Sequence, residues 1–147
     1  MRPQIILRYN GLVLLFNAVF MFIAFCISLH FRDAGTFPLL LSTILTTLIG
    51  VFPIVFVPKT FDLSNKEAYL IVVSSWLLSC LFGMLPFLLY GKEFSVINAW
   101  FESVSGYSTT GATILSNVES LPKGLMFWRS STHWLGGIGV VLFVLIV

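Results

Sequence analysis

The chain has 147 residues, of which 58% are hydrophobic, 16% aromatic and only 10% charged, and it carries a net charge of +2. Soluble domains average roughly 45–50% apolar and 25% charged residues, so there is too little charge here to clothe a water-facing surface. The composition excludes an ordinary soluble domain and implies an all-α integral membrane protein, and the small net charge gives no reason to invoke nucleic acid.

The N-terminal stretch MRPQIILRYN leads into apolar sequence with no small-residue cleavage site, which predicts a retained anchor rather than a signal peptide. Residues 11–31 form a nearly unbroken apolar run, interrupted by Asn17, Ser28 and His30. At ~1.5 Å per residue the run spans a hydrocarbon core of ~30 Å. The Arg32–Gly35 turn leads to a second span over 37–58, where Thr46, Thr47, Gly50 and Pro53 suggest helix–helix packing and a kink. Asn17 suits an interhelical hydrogen bond. A polar loop, KTFDLSNKE, follows, with Ser64 as the expected helix N-cap. The third span covers 68–91 and carries Trp76, Pro86 and Gly91. Cys26 and Cys80 lie inside apolar segments at no metal-ligand spacing and read as packing residues.

Residues 95–107, SVINAWFESVSGY, break the pattern. A helix of that length measures only ~20 Å, too short to cross. Ser95 can cap its start and Gly106 is the expected stop. The hydroxyl-rich run STTGAT over 108–113 comes next, then the polar link SNVESLPKG, then a last span from about Trp128. Because the sequence ends on FVLIV with no polar flank, it is expected to be a piece of a longer protein, cut in or at the end of that helix.

A half-length helix followed by irregular polar chain reads as a re-entrant loop. Non-helical backbone at membrane depth is tolerated only where it is buried in protein or lines a watery cavity. A dehydrated monovalent cation needs several oxygen ligands, which successive carbonyls can supply if the chain is extended toward one axis. Gly111 allows a positive φ there, Thr109, Thr110 and Thr113 can brace the loop, and the C-terminal end of the half helix favours a cation. The run 108–113 is therefore a candidate selectivity filter.

Glu102, an ionisable group inside the half helix, marks a functional position. It can accept from loop N–H groups or pair with Arg129, with direct ion binding or an aqueous face as the other options. Arg129 beside Trp128 reads first as an interfacial anchor, with the ion pair as its rival. Gly136, Gly137 and Gly139 are expected to let the last helix approach the half helix closely. Neither His30 nor His133 has a partner at metal-ligand spacing. The bias of basic residues is a tie: Arg2, Arg8, Lys59 and Lys66 against Arg32, Lys92, Lys123 and Arg129.

The runs FESVSGYSTTGATIL and SLPKGLMFWRSSTHWLGGIGVV, with TTGAT, LPKG, FWRS and WLGGIG in order, resemble the first pore repeat of the Trk/Ktr/HKT superfamily of potassium transporters. The leading pair of spans with FRDAG at its turn resembles the extra two-helix domain of TrkH/TrkG-type subunits. The resemblance implies a transmembrane hairpin over 1–62 and one pore repeat over 63–147, with pore helix 95–107 and filter 108–113. It further implies potassium as substrate, held at Thr109 and Thr110 with Gly111 and Ala112 completing the filter, and Ser108, Thr113, Glu102 and Arg129 as support. It implies further repeats in the full chain, a homodimer in the bacterial cytoplasmic membrane with a cytoplasmic N-terminus, no cofactor in this chain, and a TrkA-type cytosolic partner that carries the regulatory nucleotide.

Three readings from other classes compete. A secondary transporter would bind substrate at the broken helix. An intramembrane serine protease would use Ser105 with His133, although Ser103 stands where a nucleophile motif would have glycine. A structural subunit would conduct nothing.

Overall fold

The computed structural model describes residues 3–58 and 64–146, all of whose regular structure is helical: α1 (Pro3–Phe31), α2 (Thr36–Phe56), α3 (Asn65–Gly83), α4 (Leu85–Tyr90), α5 (Val96–Tyr107) and α6 (Lys123–Ile146), with a 3-10 turn at Val118–Ser120. Three stretches are long and apolar enough to cross a membrane: Pro3–Phe31, Thr36–Phe56 and Asn65–Tyr90. Large apolar side chains such as Phe16, Phe22, Leu48, Phe52 and Val73 stand exposed along them, which water would penalise and lipid does not. The expected boundary between residues 62 and 63, together with Arg2 and Lys59, lies outside the described residues.

The α1–α2 pair is antiparallel. Gly11 sits opposite Gly50, Met21 opposite Thr46, and Ser28 opposite Thr36. The crossing is close because both helices carry glycine there: a Cβ on Gly11 would lie 2.6 Å from the Gly50 carbonyl oxygen, and one on Gly50 would lie 3.1 Å from the Gly11 carbonyl oxygen. Without a hydrophobic force between helices in lipid, such backbone approach supplies the van der Waals attraction that holds them. Pro53, expected to kink α2, falls one turn before its end and leaves the helix continuous. Arg8 then donates to the Ile54 carbonyl at 2.8 Å and to the Val57 carbonyl, closing the C-terminal end of α2 with a positive charge.

Ser64 opens α3 through a reciprocal cap: its hydroxyl accepts from Glu67 N, and the Glu67 carboxylate accepts from Ser64 N. The third span is interrupted at Met84, because Pro86 has no N–H to continue the ladder. The Gly83 carbonyl at this break accepts a 3.0 Å hydrogen bond from Trp128 Nε1.

The last helix begins at Lys123, five residues before the expected start at Trp128. The reason lies far away in sequence. Asp33, in the α1–α2 turn, accepts from Gly124 N at 3.3 Å through one carboxylate oxygen. Its other oxygen accepts from Gly35 N at 2.9 Å and from Ser28 Oγ. A carboxylate at a helix N-terminus satisfies free N–H groups and complements the dipole. Trp128 thereby falls in the second turn of α6 and is fully buried.

Substituting Gly11→Val is expected to lower the stability of the detergent-solubilised protein by about 1–3 kcal/mol, as overpacking of a tight contact does. Thermal unfolding against the parent measures it, and an unchanged transition would show that the α1–α2 crossing can spread at no cost.

Candidate functional site: the loop after the half-length helix

Helix α5 has 12 residues, starting at the Ser95 cap, whose hydroxyl accepts from Asn98 N at 3.3 Å. It does not stop at Gly106. The chain turns at Thr109, which takes φ +58°. Around it, Thr109 N donates to the Gly106 carbonyl at 2.9 Å and Thr110 N to the Ser105 carbonyl at 3.1 Å. This pair of bonds is the Schellman ending of a helix, normally built with glycine in the left-handed position. Here a β-branched residue occupies it, at a cost of about 1–2 kcal/mol. Gly106 instead makes room for α6, since a Cβ there would overlap the Thr132 hydroxyl.

Beyond the turn the backbone runs irregularly to residue 117, with Gly111 at φ +76°. Residues 108–112 are exposed, whereas Glu102, Ser103, Ser105, Gly106 and Tyr107 just before them are buried. The loop thus presents one open face and is held from behind. Ser105 Oγ donates to the Ala112 carbonyl at 2.6 Å, turning that oxygen back toward α5. Of the carbonyls expected to hold an ion, the one on Ala112 is therefore engaged as support. Ser108 and Thr110 hydroxyls pair at 2.8 Å.

Glu102 is the centre of the support, with a side chain 1% exposed. One carboxylate oxygen accepts from Ile114 N at 2.8 Å and from Thr113 Oγ1, and the other receives Arg129 Nε at 3.2 Å. Arg129 also reaches the Gly111 carbonyl at 3.5 Å. Of the two roles the sequence offers for Arg129, the structure contains the ion pair. A buried carboxylate holds its charge only when paired and hydrogen-bonded, and this one is both.

The three glycines of α6 behave differently. A Cβ on Gly136 would fall on the Tyr107 carbonyl, so this residue lets α6 lie directly against the end of α5. Gly137 meets only the Thr109 methyl at 3.9 Å, and Gly139 faces nothing within 4 Å. The close approach expected of all three is made by Gly136 alone.

The protease geometry is absent. Ser105 Oγ is bonded to the Ala112 carbonyl, and His133 Nδ1 lies 2.8 Å from the Arg129 carbonyl. Among the described residues no group of three or more His, Cys, Asp or Glu could hold a metal ion.

Arg129→Met leaves Glu102 buried without its counter-charge, and is expected to cost about 3–5 kcal/mol. Adding Glu102→Gln to the same chain should recover part of that loss. Thermal unfolding of the single and double variants decides; a single variant as stable as the parent would show that the pair braces nothing.

Residues 58–147 match the family TrkH, described as a cation transport protein. Over 146 residues the chain is 33% identical to the Trk system potassium uptake protein TrkH of Halomonas elongata, covering 97% of this chain and 30% of that protein. It is 39% identical over 82 residues to the Escherichia coli protein of the same name, covering 55% of this chain and 17% of that one. The crystal structure of the potassium transporter TrkH from Vibrio parahaemolyticus superposes with a TM-score of 0.90 at 31% identity, covering 100% of this chain and 32% of that chain. The chain thus spans about a third of the length of such relatives. With residues 58–147 matched to the family and the whole described fold matched to a solved member, this is a multi-pass membrane protein that belongs to the TrkH cation transport family.

Proposed function

We propose that this chain supplies one quarter of the pore of a potassium uptake protein in the bacterial cytoplasmic membrane, with residues 108–113 as its filter segment. The observation that carries the reading is the loop at the end of α5. Its face at 108–112 is open while Glu102, Ser105 and Arg129 fix it from behind. The names of its relatives as potassium uptake proteins supply the ion.

In this reading α1 and α2 form the leading hairpin, and the third span, α5 and α6 form the pore repeat. Oxygens of Thr109 and Thr110 replace part of the hydration shell of a passing potassium ion, with Gly111 setting the backbone beside them. The carbonyls at the C-terminal end of α5 add a partial negative charge behind them. Left-handed backbone at Thr109 and Gly111 turns successive carbonyls out of helical alignment. The strain at Thr109 is met by the hydrogen bonds of Thr109 N and Thr110 N. Compared with the TVGYG filter of tetrameric potassium channels, the segment keeps threonine and one glycine and lacks the aromatic ring, which predicts weaker discrimination against sodium. Entry is driven by the membrane potential, worth ~2.3 kcal/mol per charge per 100 mV. The remaining repeats of the full chain complete the pore. The N-terminus faces the cytoplasm, and the protein works as a homodimer with a TrkA-type cytosolic subunit that binds the nucleotide.

The test is growth of a potassium-uptake-deficient bacterial strain carrying the full-length protein, as parent or as Gly111→Ser. Rescue by the parent, with a lowered potassium/sodium preference in the variant, is the expected result. A variant indistinguishable from a rescuing parent would remove residues 108–113 from the selectivity element. Thr109→Gly gives an independent check. Glycine suits the left-handed position better, so the variant should be no less stable than the parent, yet transport with poorer discrimination because the threonine oxygen and methyl are gone. Parental discrimination in that variant would deny Thr109 a part in the filter.

A further inference from the structure

The filter segment is also held from the side of the N-terminal helix pair, through a residue that the ion never meets. Tyr107 is the last residue of α5, directly before the turn at Ser108 and Thr109, and is 3% exposed. Three other helices grip it. Its hydroxyl donates to Asn17 Oδ1 on α1 at 2.8 Å, across 90 residues of sequence. Its ring lies over Gly83 at the end of α3, where a Cβ would come within 2.5 Å of Tyr107 Cε2. Its carbonyl lies 3.4 Å from Trp76 Nε1 on α3 and rests against Gly136 of α6.

Asn17 is in turn oriented by Ser79, to which its amide donates at 2.8 Å. Asn17, Ser79, Trp76 and Tyr107 all border a largely apolar cavity of about 270 Å³ between α1, α3 and α6. Each of these four side chains has a partner within the group or on Tyr107's own carbonyl, and among the described residues no buried side-chain polar atom is left without one. The polar groups serve each other. What they share is the end of α5.

We propose that Asn17 is a positioning residue for ion discrimination: through its hydrogen bond to Tyr107 it sets where the filter backbone starts, so that the N-terminal helix pair tunes the filter without contributing to it. The inference rests on the potassium-filter reading of residues 108–113. Its physical basis is leverage. Tyr107 is two residues from Thr109, and the Ser108 cap between them is fixed by its hydrogen bond to the Val104 carbonyl. A displacement of the Tyr107 ring is therefore carried into the first filter oxygens, whose geometry decides how well they replace a hydration shell.

The experiment measures potassium and sodium uptake by the full-length protein in the potassium-uptake-deficient strain, for the parent, Tyr107→Phe, Asn17→Leu, the double variant and Gly111→Ser. Membrane protein levels are read in parallel. Tyr107→Phe keeps every carbon contact over Gly83 and deletes only the hydroxyl. Each single variant is expected to lose about threefold in potassium/sodium preference, the scale of one interhelical hydrogen bond in a membrane. KM for potassium should rise while the amount of protein stays parental, and the double variant should be no worse than either single, as groups acting through one bond require. A merely structural role would lower protein level and maximal rate together and leave the preference unchanged; that result overturns the proposal. So does an additive double variant. If Asn17→Leu fails to accumulate, Tyr107→Phe and Ser79→Ala decide in its place, the latter by releasing the Asn17 amide. Gly111→Ser separates the two ideas. An unchanged preference there sinks the filter reading itself, whereas a changed one beside a parental Tyr107→Phe sinks only the role of Asn17.

Discussion

A stretch of irregular backbone inside a lipid-facing chain must find partners for its N–H and C=O groups, and the rest of this structure is arranged around that requirement. Glu102 answers for the inner side of the loop. Its carboxylate takes two donors from the loop and one from Arg129, so the charge that would be prohibitive alone becomes the fixed point from which the loop hangs. The outer side, over 108–112, is held through the Gly111 and Ala112 carbonyls and otherwise stands exposed. Rigidity behind and openness in front arise from the same division of hydrogen-bonding capacity.

Small residues make that division possible. Gly106 admits Thr132, Gly136 admits the Tyr107 carbonyl, and Gly83 admits the Tyr107 ring. With these three contacts α5 is pressed between α3 and α6 at its C-terminal end, where its position matters most. Ser103 adds a 2.6 Å hydrogen bond to the Cys80 carbonyl on the α3 side. In a medium as apolar as the side chains themselves, contact distance and polar pairing replace the hydrophobic effect as the source of cohesion.

Much of this is legible in the sequence where the cause is local. The Ser64 cap with glutamate three residues on, the Ser95 cap, and the shortness of the fourth helical stretch can all be read from neighbouring residues. The apolar runs give the spans to within a few residues at most ends. Reading fails where the cause is distant or where a residue works against its own preference. Gly106 looks like a helix stop because glycine usually is one, but here packing against Thr132 claims it, and the left-handed position falls to Thr109. Trp128 looks like the start of the last span because nothing nearby shows that Asp33 meets the helix near its beginning, five residues earlier at Lys123. Ser105 gives no sign that its hydroxyl will hold the Ala112 carbonyl. The Asn17–Tyr107 bond is equally invisible, although an asparagine inside an apolar span announces that some partner exists.

The hydrogen bond from Gly124 to Asp33 joins residues 91 apart, and the acceptor is always made first. During synthesis the α1–α2 turn leaves the ribosome before the backbone N–H group that it will receive. The helix carrying Trp128, Arg129 and Gly136 can therefore begin against an acceptor that already exists, and its first turn is met by a part of the protein made earlier. Order of synthesis thus becomes a structural parameter: a chain with the turn moved downstream by circular permutation would hold the same contacts, but α6 would have to insert with its first turn uncapped.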